Sequence, residues 1–281
     1  MPTLGETTRE ASQQLASVSD SARLDAELLI AHVLDIPRSR FISDPEQVLD
    51  PQQLEQITAL IQRRVAGEPM AYILGHRHFW DLKLRITPDV LIPRPETELL
   101  VEIALALYPA DSHINVLDLG TGSGAIALAI AKARPQWHVC ATDDSHQALE
   151  VAIDNAERYR LSNLSLLQSH WFDGLEPSKR YNLILSNPPY IPEHDPHLQQ
   201  GDVRFEPQQA LVSGKDGLDA IRHLIPTGKD YLFPGGWLML EHGYDQGEQV
   251  RALFVEHGYK EVQQRQDLGG HVRVTSGRNC T

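Results

Sequence analysis

The sequence has few cysteines and no long apolar run. Its two cysteines, Cys140 and Cys280, lack the spacing of a metal site or of a disulfide framework, which favours a reduced compartment. No stretch approaches the roughly 18 consecutive apolar residues of a transmembrane helix, and residues 1–20 contain no apolar run of signal-peptide length. We therefore expect a soluble, cytoplasmic protein that does not bind membranes.

Basic residues are also scarce. The chain has 25 Lys and Arg against 38 Asp and Glu, a formal net charge of −13. Such an average surface repels a nucleic-acid duplex, and the sequence contains no local basic patch that would offset this repulsion. We therefore expect a protein or a small molecule as the partner, without direct nucleic-acid binding.

The pattern along the 281 residues predicts three parts. Residues 1–72 have apolar side chains at three- and four-residue spacing, which predicts a small helical bundle. Residues 73–92 are rich in aromatic and β-branched types and predict a β-hairpin linker between two domains. In residues 93–281 helical segments alternate with apolar runs, which is typical of βαβ units and a mostly parallel sheet.

Seven strands are predicted in the third part. The last two are separated only by residues 268–270, too short for a crossover helix, so they should pair antiparallel. The sequence therefore predicts an α/β fold in which a doubly wound, seven-stranded Rossmann-like sheet ends in a reversed strand. The predicted strands are 114–119, 138–142, 164–168, 181–186, 236–241, 260–266 and 271–276.

A tetrapeptide, Asn187-Pro188-Pro189-Tyr190, directly follows the apolar strand 181–186. It should lie at the carboxyl edge of the sheet, where ligands bind in open α/β folds. The prolines stiffen the backbone, and the Asn187 side chain offers both a donor and an acceptor. This pair suits another planar nitrogen group, either an amide or an amine, although a simple strand-ending turn also fits these residue types.

A glycine-rich segment lies between the first predicted strand of the sheet and the helix after it. Glycines permit a tight turn and a close approach of a ligand to the unpaired amides of a helix N-terminus. This pattern fits a dinucleotide such as NAD as well as S-adenosylmethionine. The segment, called the glycine loop below, consists of Gly120, Thr121, Gly122, Ser123 and Gly124.

Two further residues bear on the cofactor. Asp143 ends the second strand, where a carboxylate can bind a ribose diol, although it could instead cap the helix that follows. Trp171 follows the third strand, where its ring could cover an adenine or pack in the core. The reversed last strand and the tetrapeptide favour a methyl donor over NAD, because a dehydrogenase has no evident use for the tetrapeptide.

The order and spacing of several motifs closely resemble those of the release factor glutamine methyltransferases. The resemblance implies a methyltransferase sheet beside a helical substrate-recognition domain, and it covers nearly the whole chain. The motifs lie at residues 68–75, 79–80, 93–98, 120–124, 187–192, 205–207 and 214–218.

The resemblance also implies a set of roles. S-adenosylmethionine would be the cofactor, cradled by the glycine loop, with Asp143 at its ribose, Trp171 at its adenine and Asn187 bridging toward the substrate. The partner would be a class 1 peptide chain release factor, methylated on the side-chain amide nitrogen of the glutamine in its Gly-Gly-Gln motif. That glutamine would be held by Asn187, Pro188, Pro189 and Tyr190.

Several alternatives stay open at the level of sequence. A methyltransferase acting on a ribosomal-protein glutamine would share every catalytic residue, and adenine amino-methyltransferases use a similar tetrapeptide for an exocyclic amine. His170 departs from the acidic residue common in relatives, which leaves the contact to the adenine amino group open. The pair His76 and His78 lacks further ligands at a suitable spacing, so no metal is expected.

Overall fold

The computed structural model describes all 281 residues and divides the chain into two compact units. The smaller unit contains Met1–Gly75 together with Gln199–Phe205. The larger unit contains His76–Leu198 and Glu206–Thr281, and therefore includes the hairpin that the sequence placed in a linker. The assignment of these parts as a recognition domain, a linker and a catalytic domain stays a prediction.

The smaller unit is a bundle of five helices. Two of them begin with capping boxes, formed by Thr3 with Glu6 and by Asp50 with Gln53, which satisfy the exposed amides of each first turn. Their apolar faces enclose a core that includes Leu29. The helices are α1 (Leu4–Leu15), α2 (Ala22–Leu34), α3 (Arg40–Ser43), α4 (Pro51–Val65) and α5 (Met70–Leu74).

A buried arginine attaches Gln199–Phe205 to this bundle. The Arg64 Nε atom lies 3.0 Å from Asp25 Oδ2, and its Nη1 atom lies 3.2 Å from Asp202 Oδ1. A buried guanidinium is costly without partners. The two ion pairs of Arg64 therefore hold α2, through Asp25, and the segment 199–205, through Asp202, against α4. The segment therefore belongs to the helical unit although it lies far along the chain.

The larger unit contains a two-stranded hairpin and a seven-stranded sheet. In the sheet, the order is β5-β4-β3-β6-β7-β9-β8, and β9 is antiparallel to both of its neighbours. The predicted Rossmann-like sheet with a reversed last strand is thereby confirmed. The strands are β1 (His76–Phe79), β2 (Leu82–Arg85), β3 (Asn115–Leu119), β4 (His138–Asp143), β5 (Leu164–Gln168), β6 (Tyr181–Ser186), β7 (Leu232–Glu241), β8 (Lys260–Gln266) and β9 (Val272–Arg278).

Most strand ends agree with the prediction to within two residues, and the largest difference is at the start of β7. The strand predicted at 236–241 begins at Leu232, because a β-bulge opposite Tyr181 accommodates Pro234 and the glycines after it. The register with β6 shows a continuous strand from Leu232, which the predicted strand did not include.

Five longer helices cover the sheet. Residues such as Leu117, Ile184 and Leu238 are fully buried between the sheet and these helices, which explains the apolar character of the strands. No helix of the protein is long and apolar enough to span a bilayer. The helices are α6 (Glu98–Leu107), α7 (Ala125–Ala133), α8 (His146–Tyr159), α9 (Asp219–Tyr231) and α10 (Gly247–Glu256).

Candidate functional site

A cavity of about 340 Å³ lies at the carboxyl edge of the sheet. Its walls include Gly120 after β3, Asp143 at the end of β4, Trp171 after β5 and Asn187 after β6. Parallel strands end at the same edge, so residues far apart in sequence meet there. The volume lies within the range of small-molecule and cofactor sites.

The cavity brings together about half of the residues predicted for the site. The lining residues among those predicted are Gly120, Gly122, Asp143, Trp171, Asn187 and Pro189, whereas Thr121, Ser123, Gly124, Pro188 and Tyr190 do not line it.

The glycine loop has a backbone that other residues adopt only with strain. Gly120, Gly122 and Gly124 have φ angles of 71°, 56° and 84°, all in the left-handed region. A Cβ atom on Gly122 would meet nothing within 4 Å, because this residue faces the cavity. A Cβ atom on Gly124 would lie 2.3 Å from Leu128 Cδ1, so the end of the loop is packed tightly against α7.

The polar side chains of the loop stabilise it from within. Thr121 Oγ1 donates to Asp118 Oδ2 at 2.7 Å, and both residues are buried. Burial raises the pKa of Asp118 to about 7, and the hydrogen bond from Thr121 partly opposes this. The carbonyl of buried Ser123 accepts a hydrogen bond from Asn155 Nδ2 at 2.9 Å. These residues fix the shape of the loop and leave its backbone toward the cavity.

Asp143 links the glycine loop to the start of α8. Its Oδ2 accepts from the Gly122 amide at 2.8 Å and its Oδ1 from the Ser145 amide at 2.9 Å. Ser145 itself caps α8 by accepting from the Ala148 amide at 3.2 Å, so capping does not account for Asp143. Burial raises the pKa of Asp143, which the Gly122 amide and further backbone amides oppose. Two of the roughly four acceptor positions of a carboxylate are used, and the rest can accept hydroxyl groups.

An Asp143→Asn variant should bind S-adenosylmethionine, the cofactor that the resemblance implies, about tenfold more weakly or worse, since the change leaves a buried amide donor unpaired. The new NH₂ group would face one of the two backbone amides that now donate to the carboxylate. Isothermal titration calorimetry measures the change. Asp154→Asn is the matched control, because Asp154 lies on the exposed face of α8 and pairs with Arg85. Equal affinity in Asp143→Asn and the wild type would contradict the role of Asp143.

Trp171 forms one wall of the cavity in a strained conformation. Its φ angle is 51°, which is unusual for a bulky residue and costs about 1–3 kcal/mol. The turn is held by Ser169, whose Oγ donates to the Trp171 carbonyl at 2.9 Å and accepts from the Gly174 amide at 2.8 Å. The indole ring also packs against the core. It therefore combines the two roles that the sequence left as alternatives, core contact and an aromatic wall.

His170 is exposed and also lines the cavity. Its ring centroid lies 6.1 Å from that of Trp171 and 6.4 Å from that of His223. The imidazole thus extends the aromatic wall beside Trp171. His76 and His78 lie on the hairpin, and no group of three or more potential metal ligands occurs in the chain.

The tetrapeptide follows β6, and a hydrogen bond holds the NH₂ group of its asparagine. Asn187 Nδ2 donates to Thr97 Oγ1 at 3.1 Å, and no residue of the chain donates to its Oδ1. Pro188 is buried, and Pro189 lines the cavity. Burial raises the pKa of the Tyr190 hydroxyl, which keeps that group protonated. The arrangement presents an amide oxygen beside the cavity, backed by a rigid backbone.

Three supporting residues were missed by the sequence interpretation. Asn155 accepts from the Arg85 amide at 2.7 Å as well as bonding the glycine loop, and Thr97 and Glu241 lie behind Asn187. A polar residue in the apolar face of α8 was a usable signal for Asn155. Thr97 lay within a motif of the resemblance, and Glu241 ends a strand, but neither pattern indicates a partner.

Comparison with known proteins identifies the family. A family described as "PrmC N-terminal domain" matches residues 6–75, and one described as "Methyltransferase small domain" matches residues 96–203. A release factor glutamine methyltransferase of Coxiella burnetii is 48% identical over 278 residues, covering 99% of both chains. One of Pseudomonas aeruginosa is 52% identical over 260 residues, 92% of this chain and 94% of the relative.

A solved structure supports the fold. The 16S rRNA N2 G1207 methyltransferase of T. thermophilus, in complex with AdoMet and guanosine, matches with a TM-score of 0.54 at 19% identity. The match covers 73% of this chain and 49% of that one, and it shows the methyltransferase fold alone. The similarity to the two curated relatives over nearly their full length shows that the chain belongs to the release factor glutamine methyltransferase family.

Proposed function

We propose that this protein transfers a methyl group from S-adenosylmethionine to the side-chain amide nitrogen of the glutamine in the Gly-Gly-Gln motif of class 1 release factors. The observation that carries the proposal is the position of the Asn187 side chain. This side chain lines the cavity together with Asp143 and Trp171, and its oxygen accepts no hydrogen bond within the chain. Membership of the family supports the release factor as the partner. Translation termination takes place in the cytoplasm, where we place the enzyme.

The cavity residues fit a nucleoside cofactor. The two unused acceptor positions of Asp143 would accept the ribose hydroxyls, and the Trp171 ring would cover the adenine. Gly120 and Gly122 would allow the cofactor to approach the backbone closely, since Gly122 has open space where a side chain would stand. When bound, S-adenosylmethionine supplies a sulfonium methyl that the amide nitrogen lone pair takes, leaving a neutral thioether.

The tetrapeptide would orient the substrate amide. The Asn187 oxygen and the Pro188 carbonyl would accept its two hydrogens, and its lone pair would then face the methyl group. These acceptors would stabilise the positive charge that develops on the nitrogen, which loses one proton to the solvent when the product leaves the site. Tyr190 would cover the flat amide and exclude water, and its raised pKa keeps it uncharged there.

This arrangement explains how a weak nucleophile can react. The lone pair of a glutamine amide is delocalised into its carbonyl, and no side chain near neutrality removes its proton before transfer. Positioning and preorganised acceptors therefore supply much of the rate, without a covalent enzyme intermediate.

The two alternative substrates can be separated directly. Labelled S-adenosylmethionine would be offered with a release factor, with its Gly-Gly-Gln glutamine changed to alanine, with ribosomal protein and with DNA. We expect label only on the intact release factor. Label on ribosomal protein would favour the sister activity, and label on DNA would overturn the assignment despite the net charge of −13.

A further inference from the structure

We infer that Thr97 and Glu241 are positioning residues that fix which end of the Asn187 amide faces the substrate. The inference deepens the proposed function and rests on it, because it assigns a task to groups behind the acceptor. Neither side chain lines the cavity. Both act through Asn187.

The three residues meet because of the sheet register. Ser186 at the end of β6 pairs in parallel with Leu240 near the end of β7. The next residue on each strand is therefore Asn187 on one side and Glu241 on the other. Thr97, just before α6, accepts from Asn187 Nδ2 at 3.1 Å through its Oγ1, and the same hydroxyl favours the ionised form of the Glu241 carboxyl.

The burial of the polar side chains of Thr97 and Glu241 indicates a role other than packing. Thr97 is 4% exposed and Glu241 is 1% exposed. Thr97 stands at the N-cap of α6, yet its hydroxyl makes no capping bond with that helix. The Glu241 Oε2 atom has no hydrogen-bond partner in the chain. A buried carboxylate with an unsatisfied oxygen is costly, and a leucine there would pack at lower cost.

The donors and acceptors of Glu241, Thr97 and Asn187 allow only one direction of hydrogen bonding between them when Glu241 is ionised. A threonine hydroxyl has a single proton, and an ionised Glu241 can only accept it. The Thr97 oxygen is then left with lone pairs alone, so Asn187 must present its NH₂ group to Thr97. Its oxygen consequently faces the other way, where an acceptor for the substrate amide is required.

Protonation of Glu241 would remove this constraint. A carboxylic acid can donate to Thr97, whose own proton could then reach the Asn187 oxygen and allow the amide to flip. The flipped amide would meet the substrate NH₂ with its own donors. Burial raises the pKa of Glu241 to about 7, so this exchange falls near neutral pH.

The charged groups facing Glu241 come from every side. Arg273 on β9 and Arg94 favour its ionised form, whereas Glu96 opposes it. Tyr190 faces the same carboxyl and stays protonated because burial raises its pKa. His242, the next residue on the chain, stays neutral because burial lowers its pKa. Among these neighbouring groups, Glu241 is therefore the one expected to titrate across neutrality.

The first test removes the Thr97 hydroxyl. Thr97→Val should lower kcat about tenfold or more, as expected for loss of one positioning hydrogen bond, while S-adenosylmethionine affinity in calorimetry stays unchanged. Thr97→Ser keeps the hydroxyl and should recover most of kcat. Thr142→Val is the matched control, since Thr142 is fully buried and its hydroxyl has no partner. A Thr97→Val enzyme with normal kcat, or one that serine does not recover, would overturn the inference.

The second test removes the charge of Glu241. In the wild type kcat should rise with pH through about 7, as the carboxyl ionises. Glu241→Gln should lose this rise and have a reduced kcat at pH 8. Its thermal midpoint at pH 8 should equal or exceed that of the wild type. Folding raises the pKa of the Glu241 carboxyl, so the folded wild type loses stability as the pH rises through about 7. Glutamine does not titrate, so the variant does not lose this stability.

If kcat of Glu241→Gln still rises with pH through about 7, the inference is wrong. A thermal midpoint of this variant below that of the wild type at pH 8 would also overturn it. These failures differ from failure of the proposed function. If the wild type does not methylate a release factor, the function itself is wrong. If the wild type methylates it and Asn187→Ala is inactive while both new variants behave as wild type, only the positioning role is wrong.

Discussion

Replacing Asn187 by alanine should lower the rate of methyl transfer about a hundredfold or more, as loss of one preorganised polar group in an active site does. The variant loses the oxygen that would accept a hydrogen of the substrate amide, whereas Pro188 and the stiff backbone after it remain. The substrate nitrogen then keeps more of its rotational freedom, and charge developing on it meets one acceptor fewer. The loss should therefore appear in kcat.

Single-turnover assays with labelled S-adenosylmethionine and a release factor measure this effect. Cofactor affinity should change little, because Asp143, Trp171 and the glycine loop are intact in the variant. Asn182→Ala is the matched control on the same strand, since Asn182 accepts from the Asn115 amide at 2.9 Å and does not line the cavity. Near-normal turnover in Asn187→Ala would show that the tetrapeptide does not hold the substrate amide.

Replacing Gly124 by alanine should weaken cofactor binding about a hundredfold. A left-handed φ angle costs an L-residue about 1–3 kcal/mol, and overpacking a filled core costs a similar amount. The added Cβ would lie 2.3 Å from Leu128 Cδ1 and 3.4 Å from Ala152 Cβ. Leu128 is fully buried and cannot move aside freely. The glycine loop would have to shift, and with it Gly120 and Gly122, which line the cavity.

Gly75→Ala separates the two causes. Gly75 has a φ angle of 71°, and a Cβ there would meet nothing within 4 Å. This variant carries the backbone strain without the collision and lies outside the cavity, so its cofactor affinity should equal that of the wild type. Circular dichroism would show that both variants are folded. A Gly124→Ala protein that binds S-adenosylmethionine normally would contradict the role of the loop.

The sheet could be predicted from the sequence because its signals are local. Apolar strands alternate with helices, and the short connection at 268–270 requires an antiparallel pair at the end of the sheet. The start of β7 could not be predicted, since its bulge depends on pairing with β6. The attachment of Gln199–Phe205 to the helical unit was likewise hidden, because it depends on Asp202 reaching Arg64.

For the candidate site, too, the local signals could be predicted and the long-range side-chain contacts could not. The sequence could place Asp143, Trp171 and Asn187 at one edge of the sheet, because each ends or follows a strand and parallel strands have their carboxyl ends at the same edge. Thr97 and Glu241 could not be found this way. Their contact joins three distant parts of the chain through side chains, and no spacing in the sequence encodes the direction of a hydrogen bond.

The most direct test of the central claim is tandem mass spectrometry of a class 1 release factor after reaction with this enzyme and S-adenosylmethionine. We expect a single added methyl group on the side-chain amide nitrogen of the glutamine in the Gly-Gly-Gln motif, and none after reaction with the Asn187→Ala enzyme. A methyl group on any other residue, or no modification of the release factor by the wild-type enzyme, would contradict the account.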